Sequence, residues 1–193
     1  MAVQLLPAAL RTAVPWKNGG GLTREVAADP PGATLDDFRW RVSTAEVTSC
    51  GPFSRFAGVD RTLCVLAGEL FLEFTEARGV VLASGSEPFG FAGDVAVHGT
   101  PRGGPVTDLN VMTRRGRCAA RVSRYLDCQG SVLALDEATT LLFALGTLEL
   151  SVAGNDCRLA HADALCVRGV AACSVLSAAA FYVIEIRDID SGT

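Results

Sequence analysis

Apolar residues along this chain recur mostly at every second position or in continuous runs of five to eight, bounded by Gly, Pro or Asp. A period of two, or a short unbroken apolar run, is the signature of β-strands. The pattern predicts strands at Leu22–Ala28, Phe38–Val47, Arg61–Ala67, Glu69–Thr75, Val80–Ala83, Val95–His98 and Val106–Thr113. Further strands are predicted at Arg121–Leu126, Thr139–Leu145, Thr147–Ala153, Asp156–His161, Ala164–Arg168 and Cys173–Arg187, the last broken near Ala178–Ala180. No long helix is indicated, and the best helical segment is a short turn at Leu5–Arg11. Many short strands with tight turns predict an all-β sandwich or barrel.

One stretch echoes another. T-L-C-V-L-A-G-E-L-F-L-E-F (Thr62–Phe74) aligns without a gap on T-L-L-F-A-L-G-T-L-E-L-S-V (Thr140–Val152), sharing Thr, Leu, Gly, Leu and Leu. Each reads as strand, Gly turn, strand, which suggests a duplicated β unit. A boundary is expected between Arg114–Arg117 and Cys128–Gly130, giving units 1–117 and 118–193. The first unit holds nearly all the unusual polar motifs, so function is expected there.

Composition removes several classes. With 193 residues, 49% hydrophobic content and a net charge of −4, the chain is a globular protein without a global electrostatic case for nucleic acid. No apolar run approaches the roughly 20 residues a membrane helix needs, and residues 1–15 lack secretory features. A soluble, cytoplasmic protein is expected. The seven Cys include no C-x-x-C pair and sit largely in apolar runs, so they read as reduced core thiols. The two histidines, His98 and His161, lie far apart, which leaves no ligand set for a transition metal. His161 and Asp163 are at most a fragment of one. Lys17, the single lysine, sits beside three glycines; a Schiff base there competes with a plain replacement of Lys by Arg elsewhere.

Three polar segments remain. W-K-N-G-G-G-L-T-R-E (Trp16–Glu25) fits neither a phosphate loop nor a dinucleotide turn, because a strand follows it. Its glycines permit close backbone approach or positive φ. On that strand Thr23 and Glu25 share a face; on the next, Arg39, Arg41, Ser43 and Ala45 do. In D-L-N-V-M-T-R (Asp108–Arg114), Asp108, Asn110 and Met112 alternate with apolar residues. Pointing inward, Glu25, Arg41, Ser43, Arg61, Asp108 and Asn110 would converge in a polar cavity. Pointing outward, they are solvated faces, and Asp60-Arg61 is an ordinary surface pair.

Together W-K-N-G-G-G-L-T-R-E, W-R-V-S-T-A, G-P-F-S-R-F-A-G-V-D-R, F-A-G-D and D-L-N-V-M-T-R-R-G resemble the HutD/Ves family, over about Trp16–Gly116. The resemblance implies a bicupin-like fold of two β-barrel or jelly-roll units, a bacterial cytoplasmic setting and an association with histidine catabolism. The cupin metal motif is missing, so no metal and no cofactor are expected. The family resemblance implies a small-molecule binder without a secure enzymatic activity. It favours the inward reading, with a ligand site of Asn18, Thr23, Glu25, Arg41, Ser43, Arg61, Asp108 and Asn110. Urocanate, imidazolone propionate, formiminoglutamate and formylglutamate all carry carboxylates, which Arg recognises bidentately. Asn and Glu would read an amide, imidazole or formyl end, and the Gly-rich loop would lend N–H groups. Two alternatives stand beside this: a metal-independent isomerase, hydrolase or tautomerase with Glu25 or Asp108 as general base, and an interaction protein using its exposed strand faces. Pairing of two copies through an outer sheet face, a homodimer, is compatible with the pattern.

Overall fold

The computed structural model of the protein describes residues 2–16, 19–75, 77–135, 139–177 and 180–189. In chain order its strands begin with β1 (Ala2–Leu6), β2 (Ala13–Pro15), β3 (Gly21–Asp29), β4 (Trp40–Val47), β5 (Gly51–Pro52), β6 (Val59–Phe74), β7 (Ala77–Ala83), β8 (Phe89–Ala92) and β9 (Val97–Arg114). They continue with β10 (Cys118–Tyr125), β11 (Val132–Ala134), β12 (Thr139–Ala144), β13 (Leu148–Val152), β14 (Asn155–Leu159), β15 (Ala164–Arg168), β16 (Ala172–Val175) and β17 (Phe181–Asp188). Among the described residues the single helical element is a 3-10 turn at Ala8–Leu10, inside the predicted helical segment. No helix there is long and apolar enough to cross a membrane.

The chain forms two compact units, Thr12–Arg117 and a second made of Met1–Arg11 with Cys118–Thr193. The first eleven residues therefore do not belong with the N-terminal unit, where the sequence reading put them. They depart because β1 forms an edge strand on β15, with Ala2 opposite Arg168 and Leu6 opposite Ala164. Backbone groups of a short strand are satisfied by whichever open edge lies in register, and periodicity cannot reveal that partner.

The unit Thr12–Arg117 is one sheet ordered β2-β3-β4-β9-β6-β7, with β5 on β9 and β8 on β6. Its two long strands are each the fusion of pieces that read separately in the sequence. Gly68 was expected to reverse the chain between two strands. Instead β6 runs through it, because β9 offers a continuous partner: Val59–Ala67 pairs with residues 107–114 and Glu69–Phe74 with residues 97–102. Gly68 takes φ +82°, and a Cβ there would lie 2.8 Å from the Pro105 carbonyl oxygen. Register shifts flank it on both sides, so the glycine bends the strand rather than ending it. Leu63, Val65, Leu70, Leu72, Val97 and Val106 bury one cluster along this bent ladder, with Phe53, Phe89 and Phe91 packed against it.

The second unit has a five-stranded sheet, β1-β15-β12-β17-β10, and a four-stranded sheet, β11-β16-β13-β14. Both sheets contribute to one apolar cluster, with Leu142, Leu165 and Val183 from the first and Leu150, Leu159 and Val175 from the second. In neither unit does a strand pairing close a barrel among the described residues.

The sequence echo changes phase at its glycine. After it, Leu70 and Leu72 enter their unit's cluster, as their counterparts Leu148 and Leu150 enter theirs. Before it, Leu63 and Val65 face the cluster, but their counterparts Leu141 and Phe143 do not; Leu142 and Ala144 do. A one-residue offset reverses every side chain of a strand, so the ungapped match is not a match of facing over its whole length. Nor does either segment form a hairpin: β12 and β13 lie in different sheets.

Candidate functional site

Alternation within β3, β4, β6 and β9, together with their register, arranges the polar residues in three cross-strand rows on one face. Arg41 and Arg61 both stand opposite Met112. Two residues along, Asn110 stands opposite Ser43, which stands opposite Glu25. Two further on, Asp108 is opposite Ala45, which is opposite Thr23. Residues directly opposite in an antiparallel ladder share a face. All of these line one cavity of about 720 Å³, within the range of small-molecule sites.

Seven of the eight predicted site residues thus come together: Thr23, Glu25, Arg41, Ser43, Arg61, Asp108 and Asn110. Asn18 lies outside the described residues, as does Lys17. Trp16 is tied to the start of β3: its N–H donates to the Gly21 carbonyl at 3.0 Å and its Nε1 donates to Thr23 Oγ1 at 2.7 Å. Gly21 is required by close approach: a Cβ there would meet the Glu46 carbonyl oxygen and press on the Trp16 ring at 3.2 Å. Gly19 takes φ +72°, so the glycine run supplies both uses expected of it.

Arg41 Nε donates to Glu25 Oε2 at 2.8 Å, and its Nη1 donates to Ser43 Oγ at 3.2 Å. That cation is already matched. Arg61 is different. It is buried, at 7% exposure, and among the described residues its hydrogen bonds reach neutral acceptors, Asn110 Oδ1 at 3.4 Å and the Ser54 carbonyl at 3.3 Å. The rings of Phe91, Phe53 and Phe56 surround its guanidinium at 5.0, 5.4 and 5.8 Å, which stabilises a cation without neutralising it. Burial lowers its pKa to about 10, against the opposing pull of Asp108. Asp108 is 2% exposed, and burial pushes its carboxyl up to about 7, with Arg61 drawing it down. Two lining groups therefore have proton affinities set by exclusion from water.

Apolar lining completes the cavity: Trp16, Phe53, Phe56 and Met112 inside, with half-exposed Val14 and Leu35. Sequence reasoning placed none of these in the site. Phe53 and Phe56 lie in the aperiodic turn G-P-F-S-R-F, and two aromatics in an otherwise polar turn were the available signal.

Other polar features brace the structure. Asp60 faces away from Arg61 and binds Arg115, which also binds Asp94. Asp163 accepts from the backbone N–H groups of Ala8 and Ala160, and His161 hydrogen-bonds the Leu145 carbonyl at 2.9 Å. Arg114 lies over Phe38 and donates to the Phe38 carbonyl. No group of three or more His, Cys, Asp or Glu side chains able to hold a metal occurs among the described residues. The cavity lining contains no His or Cys, so its donor set does not suit the imidazole-held metals of many cupins.

The HutD family model matches residues 8–183. The chain belongs to the HutD family. An uncharacterised 21.2 kDa protein of the hutC 3′ region of Pseudomonas putida is 36% identical over 169 residues, covering 86% of this chain and 87% of that protein. Protein Ves of Citrobacter koseri is 45% identical over 109 residues; the match spans 55% of this chain and about half, 56%, of that protein. The structure of HutD from Pseudomonas fluorescens SBW25 superposes with a TM-score of 0.85 at 31% identity, covering 97% of this chain and 100% of that one. A cupin 2 conserved barrel domain protein from Leptotrichia buccalis, at 9% identity and TM-score 0.61 over 91% of this chain and 92% of its own, shares the fold alone. The fold is all-β and cupin-like.

Proposed function

We propose that this HutD-family protein binds a small carboxylate-bearing molecule in the Arg61 cavity and, through that binding, modulates histidine utilisation. Urocanate and formylglutamate are the ligands first in line. The observation that carries the reading is Arg61 itself: a buried guanidinium, lining a cavity, hydrogen-bonded to neutral acceptors and, among the described residues, to no carboxylate. Keeping a charge out of water is costly unless something pairs with it, and a ligand carboxylate supplies that pair bidentately. Asn110 and Ser43 add neutral hydrogen-bonding groups beside it, and the aromatic walls suit a flat ligand. The hut naming of two of the relatives supports the pathway assignment.

Calorimetric titration with urocanate and with N-formylglutamate tests it. Saturable binding to the native protein is expected, and Arg61→Ala should weaken it by about thirtyfold or more, the loss of one charge-assisted hydrogen-bonded pair. No heat with either acid, or an affinity unchanged in Arg61→Ala, would overturn the assignment.

The burial of Asp108 favours a second reading, proton transfer on a bound acid. Glu25 is the weaker general base, being held by Arg41 and 40% exposed. Conversion of either acid by the native protein, lost in Asp108→Asn and kept in Glu25→Gln, would establish that reading. We also read the two units as diverged copies of one β unit, on the shared Thr-Leu, Gly and Leu-x-Leu positions of the echo, with a one-residue slip before the glycine.

A further inference from the structure

The aromatic segment over Arg61 is held differently from the strands around it. Strand β5 ends at Pro52 and β6 starts at Val59, so residues 53–56 cross the site outside the ladder. One backbone hydrogen bond pins each end: Phe53 N–H donates to the Val97 carbonyl at 2.9 Å, and Phe56 N–H to the Gly93 carbonyl at 2.8 Å. Arg55 Nε adds a tie from the outside, to the Asp94 carbonyl at 2.8 Å. On the cavity side the hold is Arg61 itself. Its Nη1 donates to the Ser54 carbonyl at 3.3 Å, and its guanidinium lies 5.4 and 5.8 Å from the Phe53 and Phe56 rings. There is also room behind the segment. A second cleft, of about 350 Å³, shares Pro52 and Phe53 with the Arg61 cavity, so one phenyl ring stands as the partition between two spaces. That ring is seated by contact alone. It rests on the bare backbone of Gly99, where a Cβ would lie 2.4 Å from it, and meets Trp16 edge-on at 6.3 Å.

We propose that residues 53–56 form a strap latched by Arg61, which a ligand engaging that guanidinium releases toward the neighbouring cleft, Phe53 turning out of its Gly99 seat. This rests on the binding reading above and adds a way for binding to be felt outside the cavity. Ser54 and Arg55 are exposed, so a change at a buried cation alters the outer surface of the unit. The latch is weak enough to yield. A long hydrogen bond to a neutral carbonyl is poorer than the bonds a guanidinium makes to an ionised acceptor, and the two compete for the same N–H groups. A ligand shifts such an equilibrium only by its differential affinity for the two states, and the Ser54–Arg61 bond is an interaction that differs between them.

Amide hydrogen exchange on the full chain tests it. In the native protein the Phe53 and Phe56 amides should exchange by local opening, at rates insensitive to low urea, while the Val111 amide in central β9 exchanges only on global unfolding. Arg61→Met removes the latch and should speed both strap amides by about tenfold or more, the loss of about one hydrogen bond. The Arg115 amide, bonded to the Gly58 carbonyl just past the strap, should stay within about threefold, which separates release of a latch from general loosening. Gly99→Ala unseats the Phe53 ring without touching Arg61; it should speed the same two amides, and decides the matter if Arg61→Met fails to fold. Saturating the native protein with urocanate or N-formylglutamate should speed them as well. Strap amides that exchange only with global unfolding in the native protein and in both variants overturn the strap. Strap amides that slow when either acid binds overturn it too, and leave the binding reading standing. Failure of both acids to bind overturns the binding reading, while the two variants still decide the latch.

Discussion

The two units use similar strands to opposite ends. On β6 the side chains facing the interior are Arg61, Leu63 and Val65; on β12 the face that meets the core carries Thr140, Leu142 and Ala144. Where one unit buries a guanidinium beside open space, the other buries a small hydroxyl residue at 0% exposure and packs its interior with Leu, Val and Phe. Ser43, Arg61, Asp108 and Asn110 are buried in the unit with the cavity, whereas among the described residues Thr140 is the buried polar residue of the other. An interior filled to close packing gains dispersion and hydrophobic stabilisation and has no room for a ligand. An interior holding desolvated charges gives up part of that gain, and binding can recover it. Similarity of strand pattern says little about which of these a β unit does.

The comparison breaks most visibly if Leu142→Arg, which would stand opposite Leu165 and Val183, is tolerated. An unpaired cation in the packed unit should cost more than about 4 kcal/mol and abolish a cooperative melt followed by circular dichroism. A normal melt would mean that this interior also accommodates charge.

Asp108→Asn sharpens the comparison through pH. The folded carboxyl, raised to about 7, holds its proton over a range where the unfolded chain has released it. Folded protein therefore binds more protons, and stability falls as pH rises from about 4 to about 7. Arg61 acts on this group directly, and Arg41 and Glu25 line the same cavity. Removing the carboxyl should flatten that slope and raise stability at neutral pH by an amount on the order of 1–4 kcal/mol, read from urea melts at pH 5 and pH 7.5. Equal slopes in the two proteins would show that Asp108 is better solvated than its burial indicates.

Glu25→Gln should do least. Its pair with Arg41 is partly exposed, so stability should change by less than about 1 kcal/mol in thermal melts. A larger loss would make this ion pair, and not Arg61, the electrostatic centre of the cavity.

Much of the site was readable one strand at a time. Asp108, Asn110 and Met112 had to share a face once Asp108–Arg114 was read as a strand, and so did Arg41 and Ser43. The apolar wall was not readable, since Phe53 and Phe56 come from a turn with no period to assign them. The fused β6 and β9 were missed for a related reason. Gly68 ordinarily ends a strand, and only the presence of β9 across both halves makes it a bend. The placement of β1 on β15 joins residues more than 150 positions apart, beyond any local pattern.

Local chemistry settled the class of fold and the grouping of side chains, because strand alternation is a property of neighbouring peptide units. It did not settle whether the charged face looks into the molecule or out of it. Cross-strand register, the bend at Gly68 and the aromatic segment covering Arg61 make that choice, and each depends on contacts between segments remote in the chain. Burial, and with it the raised carboxyl and the available guanidinium, exists only once those segments have met.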